Sequence, residues 1–116
     1  MRRFVETHVN YFVFNPLPIP RPARSVRSWR RTVALAGRLA APDDRFADWA
    51  AKVGVERGPL PTDVKQDMID ELDAVVARLY GLDEAQLTHI FETFHEGWDY
   101  AERLDAVLKH FRKIGP

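Results

Sequence analysis

Cysteine is absent from this chain of 116 residues, and so is any long apolar run. Without a thiol the chain has no disulfide framework, no cysteine nucleophile and no thiolate metal site. No hydrophobic stretch approaches the roughly 20 residues that a membrane-spanning helix needs. The length suits one domain, and 46% hydrophobic with 29% charged residues is typical of a globular protein. We therefore expect a single cytoplasmic domain that makes no membrane contact.

Motifs of known enzyme classes are also missing. The six glycines are scattered, so they form neither a phosphate-binding loop nor a dinucleotide fingerprint. The segment that starts at His95 begins like a zinc-protease motif, but Asp99 stands where the second histidine belongs. Residues 15–18 (NPLP) differ from the Asn-Pro-Pro-aromatic loop of amino-methyltransferases at the third and fourth positions. We therefore predict no catalytic, cofactor-binding or metal-binding residue, no cofactor, and no enzymatic activity for this chain.

Residues 1–24 are predicted to form an extended, proline-rich N-terminal arm. Residues 9–14 are β-branched and aromatic, which predicts at most one short strand. From Pro16 to Pro22 every second residue is proline, which predicts irregular, polyproline-like backbone. A lone strand cannot satisfy its own backbone groups, so the arm is expected to pack on other structure. Its apolar side chains are the candidates for docking on a partner: Tyr11, Phe12, Phe14, Leu17 and Ile19.

Residues 25–116 are predicted to form one globular unit of four to five amphipathic helices, so the fold class is mainly α. Ser25 and Thr62 are predicted N-caps, and Asp83 with Gln86 has the spacing of a capping box. Asp99 with Glu102 repeats that spacing. The predicted apolar faces are, helix by helix, Val26, Trp29, Val33, Ala36 and Ala40; Phe46, Trp49 and Val53; Val64, Met68, Leu72, Val75, Val76 and Leu79; Leu87, Ile90, Phe91 and Phe94; Leu104, Val107, Leu108 and Phe111.

For the tryptophans and the paired acids, the sequence favours structural roles over functional ones. Trp29, Trp49 and Trp98 lie on apolar stripes or at a helix start, which favours core packing over base stacking. Asp70 and Glu71 are adjacent on a predicted helix, and we expect them on a solvated face. Nothing in their spacing indicates the convergent acids of a nuclease-type metal site.

Charge is distributed unevenly, although the net charge is zero. Residues 1–57 contain eleven basic and five acidic side chains, whereas residues 58–116 contain six and twelve. At 100° per residue, four arginines of the first helix fall within about 60° of one another. This arginine face consists of Arg24, Arg27, Arg31 and Arg38. It suits phosphate contacts along a nucleic acid. It equally suits a solvated face, or docking onto the acidic helix of residues 62–80.

Four segments resemble, in the same order, the C-terminal part of large restriction–modification enzymes. In those type IIG-like proteins an N6-adenine DNA methyltransferase domain is fused to a target-recognition region. Residues 8–20 (HVNYFVFNPLPIP) resemble the family's aromatic and LPxP stretch, and residues 33–39 (VALAGRL) resemble the helix that follows it. Residues 70–82 (DELDAVVARLYGL) are similar to the ELDAxVAxLYGL helix, and residues 87–94 (LTHIFETF) to the LxxILxTF ending.

The resemblance implies a non-catalytic C-terminal fragment of a DNA methyltransferase or restriction enzyme that serves in phage defence. The family's cofactor-binding, catalytic and nuclease motifs would lie upstream of Met1, so no catalytic residue is carried over. The family uses its C-terminal region for target recognition and its helical support, which favours double-stranded DNA as the partner of the arginine face. The alternative is a helical protein–protein module that docks on the missing catalytic and recognition domains, or on a partner subunit, without direct DNA contact.

Overall fold

The computed structural model describes residues 19–23, 26–94 and 99–114. In these residues the predicted mainly α fold is confirmed, with five α-helices and one short 3-10 helix. The α-helices are α1 (Arg27–Leu39), α2 (Ala47–Val53), α3 (Thr62–Leu79), α4 (Glu84–Phe94) and α5 (Ala101–Ile114), and the 3-10 helix (Asp44–Phe46) precedes α2. Residues 19–23 have no regular secondary structure. The predicted short strand and most of the arm lie outside the described residues.

Helix α3 is central, because it packs against both α5 and α1. On one side its small residues Ala74 and Ala77 share a core with side chains of the last two helices, namely Leu87, Phe91, Val107 and Phe111. On α3 the neighbouring residues Ala74 and Val75 are both buried. Adjacent residues of a helix point about 100° apart, so α3 is covered on two sides.

Several helix ends agree with their sequence signals. Gly54 follows α2 with φ 77°, a left-handed conformation that glycine adopts at low cost. The capping box before α4 is present: the Asp83 N–H donates to Gln86 Oε1 at 2.9 Å, and the Gln86 N–H donates to Asp83 Oδ1 at 2.8 Å. At the start of α5 the Asp99 carboxylate accepts a hydrogen bond from the Ala101 N–H, and not from the Glu102 N–H that the predicted capping box requires.

The predicted N-caps differ from the observed ones. Ser25 lies outside the described residues, and Val26 occupies the N-cap position of α1. Thr62 is the first residue of α3, after Pro61 at the N-cap, and neither helix has a side-chain cap hydrogen bond. The Thr62 prediction is wrong because Pro61, with ψ 146°, already turns the chain into the helix.

The buried side of α1 is shifted from the predicted apolar stripe. Val26, Ala36 and Ala40 are exposed, whereas Leu35 and Gly37 are buried. Val55, just after α2, packs so closely on α1 that a Cβ at Gly37 would lie 2.9 Å from Val55 Cγ1. Glycine at position 37 allows this close contact.

Other predicted inward positions are also exposed. Val64 lies in the first turns of α3, where residues 62–67 are all exposed. In α4, Leu87 and Phe91 are buried but Ile90 and Phe94 are exposed. Trp49 is 43% exposed, so its predicted core packing is wrong, whereas Trp29 is half-buried and Trp98 lies outside the described residues. Val107 and Phe111 of α5 are buried as predicted.

No helix in the described part of the chain is both long enough and apolar enough to cross a membrane.

Candidate functional site

A groove of about 950 Å³ lies between the first turns of α1 and the end of α5, with α3 between them. Val26, Ala34, Val75 and Ile114 give it an apolar component. Its charged and titratable lining side chains are Arg27, Arg30, Arg31, Asp67, Glu71, His110 and Lys113. Four arginine and lysine side chains against two carboxylates leave the groove with an excess of positive charge.

An ion pair between α1 and α3 forms one wall of the groove. The Arg31 Nε–H donates to Glu71 Oε2, and Nη2 donates to Glu71 Oε1 at 2.7 Å, so the guanidinium binds both carboxylate oxygens. The Glu71 side chain is only 17% exposed, whereas that of Arg31 is 51% exposed. These hydrogen bonds hold the pKa of Glu71 below its usual range and raise the pKa of Arg31. Arg31 therefore docks on the acidic helix, one of the three possibilities that the sequence left open for the arginine face.

A second contact joins α5 to α3 across the same groove. His110 Nε2 lies 2.9 Å from Asp67 Oδ1. The His110 side chain is 20% exposed and that of Asp67 is 67% exposed. A carboxylate only accepts hydrogen bonds, so Nε2 of His110 carries the hydrogen. Both acids of the groove are thus held by a basic side chain of a neighbouring helix.

The remaining three cations of the groove are unpaired with respect to the described residues. No ion pair joins Arg27, Arg30 or Lys113 to another residue that the structure describes. All three side chains are exposed. They come from two helices that are far apart in sequence, and the packing of both helices on α3 brings them to one groove.

Arg38 has a structural role away from the groove. Its Nη1 donates to the carbonyl oxygen of Gly58 at 2.9 Å and contacts that of Ala41 at 3.4 Å. The Gly58 N–H in turn donates to the Ala41 carbonyl at 2.9 Å. Arg38 therefore fixes the loop before α3 against the end of α1.

The four arginines predicted from one helix face thus separate into different environments. Arg27 lines the groove and forms no ion pair with another described residue, Arg31 is paired with Glu71, and Arg38 holds the loop. Arg24 lies outside the described residues, as do the docking candidates Tyr11, Phe12, Phe14 and Leu17, whereas Ile19 is described and exposed. Sequence reasoning missed Arg30, whose spacing of three from Arg27 was the available signal, and Lys113, for which the sequence offers none.

Asp70 and Glu71 do not lie on the solvated face predicted for them. Asp70 is 5% exposed, and its Oδ1 accepts a hydrogen bond of 3.0 Å from Gln66 Nε2. The buried Nε of Arg103 lies 3.7 Å from the same oxygen, and Arg103 Nη2 donates to Asp73 at 3.3 Å. These contacts connect α3 to α5, because a buried carboxylate needs a cation and hydrogen-bond donors nearby.

Among the described residues, no group of three or more His, Asp or Glu side chains is placed to hold a metal ion. No protein-family model matches the chain, and neither a curated protein nor a solved structure matches it. The resemblance to restriction–modification enzymes stays a prediction.

Proposed function

We propose that this chain is a non-catalytic helical domain that binds the phosphate backbone of double-stranded DNA in the groove between α1 and α5. One observation carries the proposal: Arg27, Arg30 and Lys113 converge on one groove and form no ion pair with another described residue. Unpaired, exposed cations that line a cleft attract phosphates and release the counterions condensed on them. Such contacts position a protein on DNA and carry no base sequence by themselves.

The proposal changes the set of phosphate-contacting residues expected from the sequence. Arg27 stays in the set, and Arg30 and Lys113 join it. Arg31 is a weaker candidate, because Glu71 compensates its charge. Arg38 leaves the set, since its guanidinium is engaged by backbone carbonyls at the loop. Arg24 stays a prediction.

Fluorescence anisotropy of a labelled 30-base-pair duplex, titrated with the chain at several salt concentrations, tests the proposal. Three phosphate contacts predict that log K falls by about 2.7 for each tenfold rise in salt, since each contact contributes about 0.9. A second duplex of unrelated sequence is expected to bind with similar affinity. Absence of binding at low salt, or binding that salt does not weaken, overturns the proposal.

A second candidate function is protein docking without DNA contact, and the exposure of apolar side chains at the start of α2 favours it. Phe46 and Trp49 are both more than one-third exposed, and Ile19 at the end of the arm is half exposed. If the partner is a second copy of this chain, we expect the molar mass measured by light scattering to rise with protein concentration. A constant monomer mass at high concentration argues against self-association.

A further inference from the structure

We propose that the groove holds an unpaired nucleotide at the end of a DNA duplex, with the base on its apolar wall and the phosphates on its cations. The apolar wall consists of Val26, Ala34, Val75 and Ile114. This inference rests on the proposed function, because it concerns the same groove and the same class of partner. It adds a preference for an unpaired end, which phosphate contacts alone do not produce.

Phosphate binding gives the apolar wall no role, because a phosphate backbone is contacted by basic and polar groups. The wall is nevertheless built from three helices: Val26 and Ala34 belong to α1 and its N-cap, Val75 to α3 and Ile114 to α5. Val26 is 40% exposed, whereas Val75 is 1% exposed. The groove therefore reaches from the surface of the domain to a side chain of its core.

The size of the groove favours one strand over two. Its volume of about 950 Å³ lies within the range of roughly 300–1,000 Å³ that small-molecule sites occupy. A space of this size fits a nucleotide but not a double helix, which lies across the opening instead. In a duplex the faces of the bases are covered by stacking, so only an unpaired base presents a face to the wall. Such contacts are tolerant of sequence, because every base has an apolar face.

The cations lie beside the wall, so that a base and its phosphates bind together. Arg30 is four residues from both Val26 and Ala34, which places the three on one face of α1. Lys113 lines the groove from α5, next to Ile114. A nucleotide combines an apolar face with a negative charge in the same way, and this complementarity identifies the occupant.

The experiment compares three labelled duplexes by fluorescence anisotropy at one salt concentration. The first is blunt, the second carries a short single-stranded overhang, and the third carries an abasic overhang of the same length. The abasic overhang keeps the phosphates and lacks the bases. We expect the overhang with bases to bind about tenfold more tightly than the abasic one, the effect of removing roughly 55 Å² of apolar surface from water.

Ala34→Gln tests the wall within the protein, because it places a polar side chain on the apolar surface. The preference for the overhang with bases should disappear in this variant. Ala36→Gln is the matched control, since Ala36 is exposed on the same helix and does not line the groove. It should retain the preference. Glutamine is a good helix former, so both variants are expected to fold.

Equal affinities for the two overhangs in the native chain overturn this inference, in favour of a protein segment as the occupant of the apolar wall. A preference that persists in Ala34→Gln overturns it as well. Both results leave the proposed function standing when the blunt duplex binds with the expected salt dependence. Absence of binding to all three duplexes at low salt overturns the inference and the proposed function together.

Discussion

Glu71 stabilises the fold but is expected to oppose phosphate binding. Its carboxylate holds Arg31 through two hydrogen bonds and ties α1 to α3. The same carboxylate adds a negative charge to a groove that we propose for phosphates. A substitution that removes only this charge therefore separates the two roles.

Glu71→Gln is expected to lower the free energy of unfolding by about 1 kcal/mol at pH 7, the upper end for a pair with a half-exposed partner. Because hydrogen bonding lowers the pKa of Glu71 in the folded chain, the native advantage is complete above the unfolded value of about 4.3 and is lost as pH falls through the lower folded pKa. The same variant should bind duplex about fivefold more tightly, because Arg31 is released and a negative charge is removed.

Urea denaturation at pH 7 and pH 3, with anisotropy at pH 7, measures both effects. Glu92→Gln is the control, because Glu92 is exposed on α4 and is not part of the groove. It should change the unfolding free energy and the duplex affinity little. Weaker duplex binding by Glu71→Gln contradicts the proposed role of Arg31 and the groove.

At the scale of elements, Arg78 joins the end of α3 to the end of α5. Its Nη2 donates to the Phe111 carbonyl at 2.8 Å, and its guanidinium carbon lies 3.6 Å from the centroid of the Phe111 ring. The Phe111 carbonyl is in the last turn of α5, where carbonyls lack partners within the helix. The Arg78 side chain thus donates a hydrogen bond to a carbonyl at the end of α5 and stacks on a buried ring.

Arg78→Ala is expected to lower the free energy of unfolding by about 2 kcal/mol, because it removes both a charged hydrogen bond and a cation–π interaction. Arg78→Lys keeps the charge without the planar fork and should recover only part of this stability. Arg57→Ala is the control, since its pair with Asp44 is exposed and should change stability by about 0.5 kcal/mol or less. Urea unfolding followed by circular dichroism measures all three. Equal effects of Arg78→Ala and Arg57→Ala contradict this account.

Helix boundaries could be predicted from the sequence better than helix faces. The Gly54 end and the Asp83–Gln86 box depend on local backbone chemistry, which a few neighbouring residues determine. Burial at Ala36 or Ile90 depends on which helix lies opposite. The sequence does not reveal that Val55 packs against α1, so it misses the burial of Gly37, although Trp29 and Val33 of the predicted stripe are half-buried.

At the scale of the whole molecule, the basic and acidic halves of the sequence meet through α1 and α3. Glu71 compensates part of the positive charge of α1, and the rest, beside Lys113, has no ion-pair partner among the described residues. The charge asymmetry, which indicates either an anionic partner or docking between the two halves, is visible in the sequence. The groove itself could not be predicted, because Lys113 joins Arg27 and Arg30 only when α1 and α5 pack on the same central helix.

The triple variant Arg27→Gln, Arg30→Gln and Lys113→Gln tests the groove most directly. Its matched control is Lys52→Gln, Lys65→Gln and Lys109→Gln, which removes three exposed positive charges outside the groove. We predict that the groove variant binds duplex more weakly and that its salt slope falls by about 0.9 for each phosphate contact that is removed. The control should keep the native slope. Equal salt slopes for the two triple variants would contradict a phosphate-binding groove between α1 and α5.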